Sequence, residues 1–407
     1  MDASPSANRD FRLLWLGGLL AAFGSQMAAL ALPLVVLAET GSPARAGLVG
    51  TASAAALLVT VLPGGAIADA TERWRLMLYC DTAAAVVAGV LAVSVVHGNP
   101  SLALILAAAV LGPVLSAFYG PAASALLRAA VPPRQLGIAM SRLQARSAAA
   151  RLVGPLVGGA LFGLSHGLPF LVECGGLLSS AGCLLAVRAR AVPARRAKKM
   201  MHPKELGAGL SFIWRQPYLR AALMLFGTGL NAAFGGLMFA ALALNAQLDP
   251  SGRSSGLVVA LAGAGSLAGA LLAPRMKAHE HPRATILFAC WTCAGASALL
   301  VVSHNAFVMG GLIAACLLVA AVGNVGFATT MLLLTPAGLV GRVQSAGGFV
   351  SMAVQPLGPL AGGLLLDRFG PRLTFAVLAG VVVCGAVAAT LSRGLHVDAD
   401  QLRPATV

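Results

Sequence analysis

Apolar residues run along this chain in long blocks. Phe11 to Ala38 carries no charge except Arg12, and Leu102 to Leu127 and Ala221 to Leu248 carry none. A helix needs about 20 consecutive apolar residues to cross the hydrocarbon core of a bilayer. The blocks lack the period-two alternation of a transmembrane barrel. They predict helices over 12–38, 46–68, 76–96, 101–127, 138–164, 168–188, 218–247, 255–274, 284–303, 306–333, 343–366 and 373–392. Several links are short and marked by Gly and Pro, such as His97-Gly98-Asn99-Pro100 and Ser165 to Pro169. The first block exceeds the apolar core of a signal peptide, so it is expected to be retained as the first span.

Composition agrees with this pattern. The chain has 407 residues, 58% hydrophobic and 10% charged, against about 25% charged in a soluble domain. The formal net charge of +15 could by itself suggest nucleic acid, but its placement points to the membrane. With a cytoplasmic N-terminus, the outside turns hold only Arg45, Arg253, Arg368 and Arg372, while Arg146 and Arg151 lie inside the fifth helix. All other basic residues then fall on the cytoplasmic side, which predicts both termini inside a bacterial cytoplasmic (inner) membrane. The longest link, Ala189 to Gln216, contains Arg190, Arg195, Arg196, Lys198, Lys199, Lys204 and Arg215. It reads as a basic linker held near anionic lipid. The seven cysteines lie in apolar blocks, and Cys290-Trp291-Thr292-Cys293 reads as helix packing.

A shift of 204 residues superposes the two halves. Pro132 meets Pro336, Gly137 meets Gly341, and Gly154-Pro155-Leu156-Val157-Gly158-Gly159 meets Gly358-Pro359-Leu360-Ala361-Gly362-Gly363. The expected fold is an all-α membrane protein of twelve transmembrane helices in two pseudo-symmetric six-helix bundles, 1–188 and 217–407, joined by the linker 189–216. Such repeats place substrate near the midplane between the halves. Pro155 and Pro359 would bend their helices, and Gly154, Gly158, Gly159, Gly358, Gly362 and Gly363 would admit neighbouring backbones closely.

The second helix closes on Gly65-Ala66-Ile67-Ala68-Asp69-Ala70-Thr71-Glu72-Arg73, a charged turn suited to a conformational gate. Gly65, Asp69 and Arg73 match the Gly-x-x-x-Asp-Arg-x-Gly-Arg signature of the major facilitator superfamily, with Ala70 and Glu72 departing from it. Ala150-x-x-x-Gly154-Pro155-x-x-Gly158-Gly159 is similar to the helix-5 motif of its drug/proton antiporter branch. Asn8 to Trp15, Ala31-Leu32-Pro33 and Thr40 to Pro43 are similar to the enterobactin exporters and related macrolide and drug efflux proteins. The resemblance implies a two-bundle transporter working by alternating access, with protons as the coupling ion.

Charges within a membrane span are costly and therefore functional candidates. Arg151, one turn before Pro155, could bind an anionic group. Glu173 could carry a coupling proton. Asp81 lies nearer the cytoplasmic surface. Gln26, Asn231, Asn324 and Gln355 are uncharged candidates for a cavity lining. His97, His166 and His304 fall in outside turns, and no metal site is expected. No phosphate-binding loop, nucleophile triad or zinc pattern is present, so no enzyme activity, cofactor, nucleotide or nucleic-acid partner is expected. The expected function is proton-coupled efflux of a small amphipathic molecule: a drug, siderophore or secondary metabolite. Uptake on the same fold is the alternative, and a membrane receptor or membrane-embedded enzyme a more distant one.

Overall fold

In a computed structural model, the described residues are 8–98, 100–187, 203–276, 281–303, 305–336 and 339–395. Almost all of them are helical. The first six helices are α1 (Arg9–Thr40), α2 (Pro43–Ala70), α3 (Arg73–Val96), α4 (Leu102–Ala130), α5 (Leu136–Leu164) and α6 (Leu168–Ala186). Local chemistry sets their ends. The Asn8 side chain accepts from the amides of Asp10 and Phe11 at the start of α1. Gly41 ends that helix at φ 64°, a left-handed stop that glycine tolerates best. Ser101 caps α4 in the same way as Asn8 caps α1.

A short amphipathic helix, α7 (Pro203–Arg215), lies inside the stretch expected to be a linker. Then α8 (Pro217–Ala222), a π-helical segment (Leu223–Leu230) and α9 (Asn231–Leu248) run on as one apolar span. Next come α10 (Arg253–Leu272), α11 (Pro282–Leu300), α12 (Ala306–Leu334), α13 (Val340–Ala353) and α14 (Leu357–Leu391).

Among the described residues, eleven helical stretches are long and apolar enough to cross a membrane, and the last of them, Val340–Leu391, has 52 residues. At 1.5 Å per residue that length far exceeds the roughly 30 Å hydrocarbon core. Gly370, at φ 73° and ψ 176°, breaks α14 in its middle. The final stretch is therefore two spans, and the count is twelve.

One local expectation fails here. The eleventh helix is not continuous over 343–366: it stops at Ala353, turns through 354–356 and restarts at Leu357. Pro359 sits in the first turn of the new helix, where its missing N–H costs nothing. Pro155 instead lies inside an unbroken α5. The two copies of the Gly-Pro motif are built differently, and Gln355 lies in a turn.

Contacts divide the chain into two compact units. One comprises Met1–Gly41, Ala52–Met200 and Asn245–Ala260; the other comprises Ser42–Thr51, Met201–Leu244 and Leu261–Val407. In the first unit, α1 packs on α5 and α6, and α3 packs on α4 and α6. One end of that unit is closed by apolar side chains. Met77, Ala122, Leu126 and Leu184 form one cluster with Trp74. Phe11, Leu127, Val131 and Ala139 form another with Trp15. The Trp74 indole donates to the Leu184 carbonyl at 2.7 Å. In the second unit, α11 packs on α12 and α14, and α7 on α13.

Candidate functional site

In the second unit the π-helical segment shapes a cavity. A π turn is wider than an α turn, and such segments recur at functional sites. Here it delivers Phe226 and Leu230 to one wall, continued by Asn231 and Phe234 at the start of α9. Opposite stand Ser266 of α10, Cys293 of α11, and Cys316 and Asn324 of α12. The cavity measures about 100 Å³. Asn231 donates through Nδ2 to the Gly227 carbonyl at 2.9 Å. Gly323 leaves room for the Phe226 ring, since a Cβ there would lie 2.6 Å from the ring tip. The lining thus combines two aromatic faces, two carboxamides and a hydroxyl, without a charge. Asn231 and Asn324, named separately from sequence, line this one cavity. The two cysteines of the Cys-x-x-Cys stretch do not share it: Cys290 lines a separate, apolar cavity with Met224, Leu230 and Val382.

In the first unit the polar candidates are distributed. Gln26 packs over Gly154, where a Cβ would approach its own Cβ to 2.7 Å. Glu173 lies with its backbone against Gly24 and its side chain bonded to Ser25. Arg151 is exposed. Asp81, early in α3, is buried within the bundle, only 4% exposed. Its carboxyl takes a hydrogen bond from Ser180 of α6. Ser180 also bonds Tyr119 of α4, which stands beside Arg146 of α5. Arg146 donates through Nη1 to the carbonyls of Leu14 at 3.3 Å and Trp15 at 3.1 Å. Sequence reasoning named neither Tyr119 nor Ser180, and set Arg146 aside. The signal available was an Arg inside a span, which must find oxygen partners.

Both copies of the Gly-Pro motif are close crossings. In the first unit, a side chain at Gly159 would meet the Gly252 carbonyl at 2.5 Å, and one at Gly256 would meet the Pro155 carbonyl at 2.7 Å. In the second unit, a side chain at Gly363 would meet the Pro43 carbonyl at 2.5 Å, and Gly47 presses on the Pro359 carbonyl. Gly358 and Gly362 lie equally close to Gly235 and Gly236 of α9. Each crossing has a polar fastening. The Asp249 carboxylate accepts from the Ser251 amide and hydroxyl and from the Ser254 amide, fixing the turn into α10. These bonds, the Ser251 hydroxyl first, hold its pKa below the ordinary carboxylate value. In the second unit Ser42 donates to Asp367 at 3.1 Å.

Of the expected gate, Gly65 and Asp69 fall on the last turns of α2, and their side chains lie outside the described residues. Arg73 is half-buried. Glu72 pairs with Arg75 at 2.7 Å, both side chains being well exposed.

Comparison with known proteins places these features in a family context. The profile of the Major Facilitator Superfamily matches residues 14–355. A protein of Mycolicibacterium fortuitum named multidrug efflux pump Tap is 28% identical over 410 residues, covering 95% of this chain and 96% of its own. A protein of the same name from Mycobacterium tuberculosis strain H37Rv is 27% identical over 404 residues, covering 95% and 94%. Among solved structures, the nucleoside transporter NupG superposes with TM-score 0.77 at 12% identity, covering 94% of this chain and all of its own. An inward-facing bacterial homologue of the iron transporter ferroportin gives 0.67 at 16%, covering 94% and 98%.

Proposed function

Because the chain belongs to the Major Facilitator Superfamily and so is a membrane-embedded transporter of small molecules and not an enzyme, we propose that it exports small amphipathic compounds by alternating access, with proton entry driving export. The observation that carries the export direction is the end-to-end likeness to relatives named multidrug efflux pumps. The cavity walled by Phe226, Phe234, Asn231 and Asn324 supports the substrate class. Aromatic faces accept many apolar shapes, and a few carboxamides orient a cargo without demanding one charge pattern.

The paired Gly-Pro crossings supply the moving parts of this scheme. Contacts between backbones with no side chain interposed can slide or part without repacking, which suits rocking of 1–188 against 217–407 about the linker 189–216. Arg151, exposed on α5, serves as a cavity charge for an anionic group of the cargo. Gln26, Glu173 and Gln355 are further lining candidates. Asp69 and Arg73 form the gate at the cytoplasmic end of α2. The excess of Lys and Arg on one side of the spans favours both termini in the cytoplasm of a bacterium.

Everted membrane vesicles loaded with the amphipathic dye ethidium test this. Accumulation that collapses with the proton gradient is expected. Accumulation indifferent to the gradient overturns proton coupling. Dye movement only in the opposite sense, in right-side-out vesicles, returns the uptake alternative.

A further inference from the structure

Asp81, Ser180, Tyr119 and Arg146 come from four different helices, α3, α6, α4 and α5. They form one polar chain inside a bundle built mostly of apolar side chains. Asp81 is 4% exposed and Ser180 is 2% exposed, whereas Tyr119 and Arg146 are half-buried. The chain therefore runs from a sealed end to a more accessible one. Ser180 has a single hydroxyl proton. When that proton goes to the Asp81 carboxylate, the Tyr119 hydroxyl is free to donate to Ser180 Oγ. The apolar floor of Met77, Leu126, Leu184 and Trp74 lies one turn from Asp81 and Ser180, on the side of the N-terminus. Tyr119 and Arg146 are the more exposed members of the chain.

The chain is also incomplete at both ends. Asp81 Oδ2 is buried without a hydrogen-bond partner, and so is Arg146 Nε. A carboxylate kept for packing would be saturated with donors, because a buried charge with an empty lone pair is costly. Cys80 neighbours Asp81 on α3 itself; Tyr119 faces it from α4 and Ser180 from α6. Arg146, at the other end of the chain, bonds main-chain carbonyls and not the Asp81 carboxyl. It lies over Gly18, where a Cβ would strike the guanidinium.

We propose that Asp81 is the proton-binding residue of this transporter, and that Ser180 and Tyr119 form the hydrogen-bonded path by which the proton reaches it from the Arg146 side. The step balances as a relay: the Asp81 oxygen that Ser180 bonds takes the Ser180 hydroxyl proton, Ser180 Oγ takes the Tyr119 proton, and Tyr119 takes one from water on the Arg146 side, leaving Asp81 a neutral acid. Arg146 rests on the Leu14 and Trp15 carbonyls while Asp81 is neutral. An ionised Asp81 draws the guanidinium towards Tyr119. Movement of α5 against α1 and α3 thereby follows the charge of one carboxyl. Glu173, the other acid deep in this unit, is half-buried and already bonded to Ser25.

This inference rests on the export scheme only for the use made of the proton, so two measurements separate them. The first is infrared difference spectroscopy of the full chain reconstituted in lipid, between acidic and alkaline buffer. A carboxylic-acid carbonyl band that rises on acidification is expected in the wild type. It should vanish in Asp81→Asn, persist in Glu173→Gln and shift in Tyr119→Phe. The second is ethidium transport in everted vesicles. Asp81→Asn should lose gradient-driven accumulation by about tenfold or more, while dye counterflow at equal pH stays within about twofold of wild type and no longer varies with pH. Retained counterflow also reports that the variant is folded. A band unchanged in Asp81→Asn, or gradient-driven accumulation retained by it, overturns the proposal. If the wild type moves no dye, the export scheme fails and the infrared result alone decides whether Asp81 binds the proton.

Discussion

Asn231 donates to the carbonyl oxygen of Gly227 at 2.9 Å, one turn back, at the point where the π-helical segment gives way to α9. This bond fixes the carboxamide at the cavity wall beside Phe226 and Phe234. It leaves Oδ1 and the second N–H of the amide to meet a cargo.

Asn231→Leu keeps the side chain's bulk and removes its polar atoms. Apparent affinity for ethidium should weaken by about tenfold, about 1.4 kcal/mol, with turnover at saturation little changed. Asn324→Leu should behave alike. The KM and maximal rate of vesicle transport separate this from a folding defect, which lowers the rate alone.

Gly159→Val and Gly256→Val place branched side chains against the carbonyls of Gly252 and Pro155. The expected result is slower conformational exchange, with turnover down by roughly tenfold and equilibrium dye binding retained. Gly363→Val should reproduce this at the Pro43 crossing. Loss of binding in step with turnover would point to a simple packing defect.

Arg151→Ala removes an exposed charge, so thermal stability should stay within about 0.5 kcal/mol of the wild type. Transport of anionic dyes should fall several-fold, with ethidium affected less. Equal loss for both dyes would assign Arg151 a role other than holding an anionic group.

Asp249 carries a pH signature outside the membrane spans. Its pKa is lowered by the Ser251 and Ser254 bonds. Its stabilising effect is therefore complete above the unfolded carboxylate value of about 3.9 and fades as pH falls through the lower folded value. Hydrogen exchange at 251–256 should be slow at neutral pH, and faster in Asp249→Ala. Below the folded value the two should converge. A difference that persists in strong acid would mean the turn is held by something else.

The twelve spans were legible because block length is a direct consequence of bilayer thickness. The Gly-Pro repeat was legible because it is written in the two residue types with the most distinctive backbones. The rest depended on what lies across from each residue. The burial of Asp81 was not legible, because it comes from α4 and α6, which pack against α3. Tyr119 and Ser180 carried no motif. Helix α7 was hidden by the basic composition around it, and the break before Leu357 is marked only by Gln355-Pro356, too short a signal to interrupt a long apolar block. The π-helical segment had no signature at all, since Gly227-Thr228-Gly229 fits an α-helix equally well.

That segment has a consequence in mutational terms. Every residue of an α-helix turns the chain by about 100°, so deleting one residue between Leu223 and Leu230 would let the span close up as regular α-helix. Because a π turn holds about one residue more than an α turn for the same rotation, the flanking helices would largely keep their faces. Asn231 and Phe234 would stay on the wall, and the widened turn that carries Phe226 and Leu230 would close in. A single in-frame codon loss thus offers this chain a route to a different cargo spectrum that point substitution does not.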